Sequence, residues 1–74
     1  MTQEQIIKEV KAILPAIDLI ATQRRLKFDF GYLYADPNPY WECEMFNADG
    51  ETVEYYTAIT SNQLVENVLD QKTN

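Results

Sequence analysis

The sequence predicts an α+β domain, in which two helices cover one face of a three-stranded antiparallel meander in the order α-β-β-β-α. Apolar residues recur with a helical period near both ends of the chain, and they alternate with polar residues over its middle part. The turn sequence NADG separates two of the alternating segments. A chain of 74 residues is long enough for one domain, so residues 1–74 are predicted to form a single small unit.

The first helix is predicted from about Thr2 to Thr22. Thr2 and Gln5 have the spacing of a capping box. Pro15 interrupts the helix, because proline removes one backbone hydrogen bond and clashes with the preceding turn. We therefore expect a kink near Lys11–Leu14 or two short helices in line. The predicted apolar face consists of Ile6, Val10, Ile13, Ile17 and Ile20, widened by Ile7 and Leu14.

The first strand is predicted from Leu26, where the apolar period changes from 3.6 to 2. Phe28 and Phe30 are predicted core anchors, with Lys27 and Asp29 on the opposite side. Tyr32 and Tyr34 extend the apolar side beyond the surface that two short helices cover. They form either a second contact patch or a layer under the proline-rich loop ADPNP (Ala35 to Pro39), and the sequence favours neither alternative.

The second and third strands form a predicted hairpin around the type I turn Asn47–Gly50. The second strand, about Tyr40 to Phe46, is predicted to place Trp41, Cys43 and Met45 inward. The third strand, about Glu51 to Ala58, is predicted to place Val53, Tyr55 and Thr57 inward and Glu54, Tyr56 and Ala58 outward. This register sets Glu44 opposite Glu54, and like charges at such positions destabilise a sheet by up to ~1 kcal/mol.

The last helix is predicted to begin after Thr60, which has capping-box spacing with Gln63, and to end near Gln71. Its predicted apolar stripe consists of Leu64, Val65, Val68 and Leu69. This order of elements resembles that of double-stranded RNA-binding domains. Such domains carry a basic cluster where their last helix begins, and this chain reads TSNQLVEN there. The resemblance is one of topology, and the charge argues against RNA binding.

Charge is distributed unevenly along the chain. The net charge is −6, with +2 over residues 1–27 and −8 over residues 28–74. The acidic part repels phosphate backbones and attracts basic surfaces, so direct nucleic-acid binding is not expected. No apolar run approaches the roughly 18 residues of a membrane span, and no signal-peptide pattern begins the chain. We therefore expect a cytoplasmic protein without a membrane partner.

Few residues have the pattern of a catalytic or metal site. Cys43 is the only cysteine, histidine is absent, and no base is placed to activate the thiol, so an inert core thiol is expected. The segment MFNADGETVEYY fails the calcium-loop pattern at Met45 and Tyr56. We expect no enzyme activity, cofactor or metal. Arg24 and Arg25, together with Lys27, form a short basic group that is predicted to complement the dipole of the first helix, with a phosphate or acidic-partner contact as the alternative.

The candidate binding site is the outer side of the predicted sheet. Its predicted members are Asp29, Tyr40, Glu42, Glu44, Glu54 and Tyr56, with Phe46 and Leu33 beside them and Lys27 as the nearest cation. One interpretation is a solvated face that keeps the protein soluble and blocks edge pairing. The other is a platform for a basic protein surface, which the aromatic residues beside the acids favour.

The expected function is a non-enzymatic interaction module or small inhibitor that binds a basic protein surface. One concrete form presents carboxylates in a nucleic-acid-binding groove, where phosphates would lie. Small phage-type inhibitors of nucleic-acid-binding enzymes resemble this chain in size and charge. The alternative is an accessory structural subunit or adaptor, with a homodimer left open, whose acidic face only interacts with solvent.

Overall fold

The computed structural model describes residues 1–35 and 37–72 and shows the predicted order of elements. These are α1 (Gln3–Arg24), β1 (Lys27–Leu33), β2 (Tyr40–Phe46), β3 (Thr52–Ala58) and α2 (Ser61–Leu69). The strands form an antiparallel sheet in the order β1-β2-β3, and side chains of both helices pack with one face of it in a shared core. The predicted α+β meander is therefore confirmed. Asp36, within the predicted loop, lies outside the described residues.

α1 is a single helix of 22 residues, so the alternative of two short helices is wrong. The predicted capping box is present: the Gln5 N–H donates to Thr2 Oγ1 at 3.2 Å, and the Thr2 N–H donates to Gln5 Oε1 at 3.0 Å. Pro15 and Lys11 both lie on the exposed side of α1. Pro15 has no backbone N–H, so the Lys11 carbonyl lacks the donor that residue 15 of a helix would otherwise supply. Because this part of α1 is exposed, water can bind the carbonyl instead.

Both helices end on a non-glycine residue with left-handed backbone geometry. Arg25 has φ 59° after α1, and the Leu26 N–H donates back to the last turn at 2.9 Å. Gln71 has φ 56° after α2, and the Lys72 N–H donates to the Asn67 carbonyl at 2.8 Å. These are Schellman motifs that satisfy the terminal carbonyls. The left-handed conformation costs a non-glycine residue about 1 kcal/mol.

The core lies between the helices and the inner face of the sheet. Its largest fully buried side chains are Ile17, Trp41, Cys43, Met45, Tyr56, Leu64 and Val68, so the inward facing of β2 is confirmed. Phe28 and Phe30 are only half-buried, because β1 is an edge strand whose side chains pack against the rim of the core. Ile7 and Leu14 are 50% and 42% exposed, so the buried stripe of α1 is narrower than predicted.

β3 faces the opposite way from the prediction. The predicted register holds next to the turn, where Phe46 pairs with Thr52. A bulge at Val53 then adds one residue to β3, which reverses the side that every later residue faces. Tyr56 and Ala58 are therefore buried, and Val53 and Tyr55 are exposed. The observed pairs are Trp41–Ala58, Glu42–Thr57, Cys43–Tyr56, Glu44–Tyr55 and Met45–Glu54.

Candidate protein-interaction face

The outer face of the sheet is the side that points away from both helices. Strand pairing assigns to it Lys27, Asp29, Gly31, Leu33, Tyr40, Glu42, Glu44, Phe46, Thr52, Tyr55 and Thr57. Four of the six residues predicted for the binding site lie on this face, namely Asp29, Tyr40, Glu42 and Glu44. Their role in binding a partner stays a prediction. Tyr40, Glu42 and Glu44 follow one another along this side of β2, and Asp29 lies on β1 opposite Glu44.

The other two predicted site residues, Glu54 and Tyr56, lie on the inner face. Their predicted outward facing is wrong, because the bulge in β3 reverses it. The predicted opposition of Glu44 and Glu54 is also wrong, since Glu44 pairs with Tyr55 on β3. Glu44 instead forms a like-charge pair with Asp29, which lies directly opposite it on the neighbouring strand β1.

Hydroxyl groups of β3 hold the two glutamates of β2. The Tyr55 hydroxyl donates to Glu42 Oε2 at 2.8 Å, and the Thr52 hydroxyl donates to Glu44 Oε2 at 3.0 Å. The hydrogen bond to Glu42 raises the pKa of Tyr55 above its usual range, so this hydroxyl stays a donor at neutral pH. Each bond engages one oxygen of its carboxylate. No described residue donates a hydrogen bond to the second oxygen of either carboxylate.

The outer face combines negative charge with aromatic surface. Asp29, Glu42 and Glu44 are its acidic residues, and Lys27, opposite Phe46, is the only cation among the described residues of this face. The Cα atoms of Glu42 and Glu44 are roughly 7 Å apart along their strand, and the Cβ atoms of directly paired residues such as Asp29 and Glu44 are roughly 5 Å apart. The aromatic members are Tyr40, Phe46 and Tyr55. The arrangement suits a partner with cationic side chains and some apolar surface.

A charged cluster on the inner side joins three elements that the sequence did not connect. Arg24 Nη1 donates to Glu54 Oε1 at 2.7 Å, and the Tyr56 hydroxyl donates to the same oxygen. Arg24 Nη2 donates to the carbonyls of Val68 at 2.7 Å and Leu69 at 3.3 Å. Arg24 thus places its positive charge at the C-terminal end of α2, where it complements the dipole of that helix. The prediction considered only the dipole of α1. The cluster stabilises the fold and is no part of the outer face.

Burial accounts for the state of the lone thiol and of Tyr56. Burial raises the pKa of Cys43 to about 12, with a further contribution from the charge of Glu54. The thiol is therefore protonated at neutral pH, and the prediction of a buried cysteine is confirmed. Burial, together with the hydrogen bond to Glu54, raises the pKa of Tyr56 to about 12. Neither group has the ionisation of a nucleophile near neutral pH.

Aromatic residues also gather at the end of the sheet near the proline-rich loop. Tyr32 is half-buried with its ring 5.2 Å from that of Trp41, and Tyr34 contacts Tyr32 edge-on while remaining 70% exposed. The exposure of Tyr34 argues against a layer under the loop. The indole N–H of the fully buried Trp41 has no hydrogen-bond partner among the described residues.

Over residues 1–35 and 37–72, no group of three or more potential metal ligands comes together and no pocket opens. Within the same residues, neither helix has the length and apolar character needed to cross a membrane. No protein-family model, characterised protein or solved structure matches this chain.

Proposed function

We propose that this chain is a non-enzymatic interaction module whose outer face binds a basic surface of another protein. The observation that carries the proposal is the direct opposition of Asp29 and Glu44, with Glu42 two residues along the same strand. Like charges at directly opposed positions destabilise a sheet by tenths of a kcal/mol up to ~1 kcal/mol. A cationic side chain placed between them relieves that repulsion, so binding and charge neutralisation favour each other.

Aromatic and hydroxyl groups beside the carboxylates support a contact surface over a purely solvated one. Tyr55 holds Glu42 through its hydroxyl and leaves 38% of its surface exposed. Tyrosine and phenylalanine are enriched in protein interfaces because they contribute apolar area with little loss of conformational entropy. A face that only maintained solubility would need the charges and not the rings.

One concrete form of this function is an inhibitor that occupies a nucleic-acid-binding groove. The carboxylates stand on a sheet, whose strands fix their spacing in advance, and an array of fixed negative charges can take the place of phosphates. The net charge of −6 disfavours direct binding of nucleic acid to this chain. In this form the chain and a nucleic acid compete for the same partner without binding each other.

Capture experiments with charge-matched variants test the proposal. The face variant is Glu42→Gln/Glu44→Gln, and the control is Asp49→Asn/Glu66→Gln, which removes two exposed carboxylates from the hairpin turn and from α2. Each chain is immobilised, and bound proteins are identified by mass spectrometry at low and high salt, with and without added duplex DNA. We expect a basic protein that the wild type and control retain, that the face variant loses, and that high salt and DNA release. Equal retention by both variants would contradict the proposal.

A second candidate function is an accessory subunit that binds through α1. Ile7 and Leu14 lie seven residues apart on one side of this helix and are about half exposed. An apolar contact through them would survive high salt, and Ile7→Ser/Leu14→Ser would abolish it while leaving the outer face intact. Sedimentation equilibrium of the same variant shows whether the contact is with a second copy of the chain.

A further inference from the structure

The two edges of the sheet are protected to different degrees. β3 contains the bulge at Val53, and its Thr57 carbonyl accepts a hydrogen bond from Asn67 Nδ2 of α2 at 3.0 Å. β1 is seven residues long and pairs with β2 without a bulge. No described residue hydrogen-bonds to the backbone groups of β1 that point away from β2. Regular unprotected edges of this kind are templates for pairing with another strand.

The side chains of β1 define what such a strand would contact. On the inner side, Phe28 and Phe30 are half-buried, and their rings stack with centroids 6.0 Å apart. On the outer side, Asp29 is exposed and has Glu44 as its neighbour on β2. One side of the edge is therefore apolar, and the other carries Asp29 next to Glu44, with Lys27 at the start of the strand. A strand added here would lie beside both surfaces at once.

We propose that the edge of β1 binds an extended segment of the partner by strand addition, and that this segment alternates apolar residues with lysine or arginine. The inference rests on the proposed function for the basic character of the partner. Because side chains alternate along a strand, the apolar residues would lie beside Phe28 and Phe30, and the basic residues beside Asp29. Backbone pairing supplies affinity, and this alternation supplies specificity.

Gly31 provides room for the cationic side chains on the outer face. It lies on β1 directly opposite Glu42, and a Cβ added to it would meet nothing within 4 Å. The absent side chain leaves a gap between Asp29 and Leu33 beside Glu42, whose carboxylate is bound on its far side by the Tyr55 hydroxyl of β3. A long lysine or arginine side chain from the added strand can enter this gap and reach the carboxylate.

A second copy of the chain fits the same edge less well. Pairing of β1 with its own copy would align two acidic outer faces, and each chain carries a net charge of −6. The repulsion between the two copies would oppose association at low salt. A basic segment is instead attracted by the same charges. Charge complementarity therefore selects the basic partner.

Three seven-residue peptides, blocked at both ends, test the inference on the full chain. The first alternates lysine and valine, the second is the same peptide with every backbone amide N-methylated, and the third replaces lysine with glutamine. Binding is measured by NMR titration of the isotope-labelled protein, which also shows which amides gain protection from hydrogen exchange. We expect the lysine–valine peptide to protect amides of β1, and the other two to bind about tenfold or more weakly.

Protein variants test whether the charge of Asp29 contributes to peptide binding. Asp29→Asn should weaken the lysine–valine peptide about threefold to tenfold and leave the glutamine peptide unchanged, as expected for loss of one partly screened charge pair. Asp49→Asn removes the same charge from the hairpin turn and should change neither affinity. Equal effects of these two variants would contradict a role for Asp29.

The peptides also separate the two proposals. Equal binding of the N-methylated and unmethylated lysine peptides would overturn strand addition and leave the acidic face as the binding surface. Equal binding of the glutamine and lysine peptides would retain the open edge and contradict the basic partner. Absence of binding by the lysine–valine peptide would overturn the inference. Protection of β1 amides without peptide, together with dimerisation in sedimentation equilibrium, would assign the edge to a second copy instead.

Discussion

The substitution Arg24→Met tests whether one side chain joins α1, β3 and α2. In the wild type, its guanidinium binds the Glu54 carboxylate at 2.7 Å and the Val68 carbonyl at 2.7 Å. Methionine retains much of the aliphatic chain and removes all of the donors. The variant therefore leaves Glu54 on the inner face with the Tyr56 hydroxyl as its remaining donor, and it leaves the end of α2 without its cation.

The expected loss of stability follows from the partial burial of this ion pair. Breaking a fully buried pair costs about 3–5 kcal/mol. The side chains of Arg24 and Glu54 keep 20% and 17% of their surface exposed, so water compensates part of that loss. We expect the free energy of unfolding to fall by about 2–3 kcal/mol. A domain of this size is stable by ~4–11 kcal/mol, and the corresponding drop in Tm is on the order of 10–20 °C.

Urea unfolding followed by the fluorescence of Trp41 measures this change. The control is Arg25→Met, which makes the same substitution at the next, exposed residue and should cost less than about 0.5 kcal/mol. In Arg24→Met/Glu54→Gln the unpaired carboxylate is gone, so the double variant should lose at least ~1 kcal/mol less than the sum of the single changes. A loss for Arg24→Met equal to that of the control, or an additive double variant, would refute the reasoning.

Three further predictions concern single residues. Arg25→Gly should raise the free energy of unfolding by about 0.5–1 kcal/mol in thermal melts, because glycine adopts the left-handed conformation at φ 59° without strain; a lower Tm would contradict this. Cys43 should react with a thiol reagent only as fast as the protein opens, since it is fully buried, and rapid labelling of the native protein would place it at the surface. Tyr56 holds its proton more tightly in the folded state, where its pKa is raised from 10.0 to about 12. The stability that this shift contributes is therefore complete below pH 10 and is lost as the pH rises through 12. Between these pH values, the free energy of unfolding from urea titrations should fall less for Tyr56→Phe than for the wild type. An equal fall in the two proteins would exclude Tyr56 as a source of the pH dependence.

Local signals in the sequence were sufficient for the helices and for two of the strands. The capping box at Thr2 is formed as predicted, and α1 ends two residues beyond the predicted Thr22. Thr60 caps α2 through its hydroxyl, but the predicted capping box is only half formed, because the Gln63 side chain donates to Asn67 instead. The alternation in β2 correctly placed Trp41 and its inward neighbours. These features depend on residues close together in the chain, where side-chain period and capping chemistry determine the conformation.

The facing of β3 depended on information that local patterns do not contain. Tyr55 and Tyr56 are adjacent and identical, so either can occupy the core, and the single extra residue at Val53 decides between them. That choice places Glu54 inward, which requires a cation. The cation is Arg24, which lies 30 residues earlier in the chain. A pairing this distant can be recognised only after the helix and the strand have been brought together.

The candidate site was predictable where it rests on β1 and β2. Asp29, Tyr40, Glu42 and Glu44 lie on the outer face as expected, because the bulge affects only β3. For the same reason, the predicted partner of Glu44 on β3, Glu54, is wrong. Glu44 does oppose a carboxylate, and that carboxylate belongs to Asp29. The repulsion that motivates the proposed function is therefore present at a different position.

The most direct test of the proposed function is the salt dependence of affinity for the captured partner, compared between the wild type and Asp29→Asn/Glu44→Gln. Removing the two opposed carboxylates relieves repulsion within the sheet and removes attraction to the partner. We expect the variant to bind about tenfold or more weakly at low salt, with a shallower decrease in affinity as salt rises. Equal affinities and equal salt dependence in the two proteins would contradict the claim that the outer face binds a basic surface.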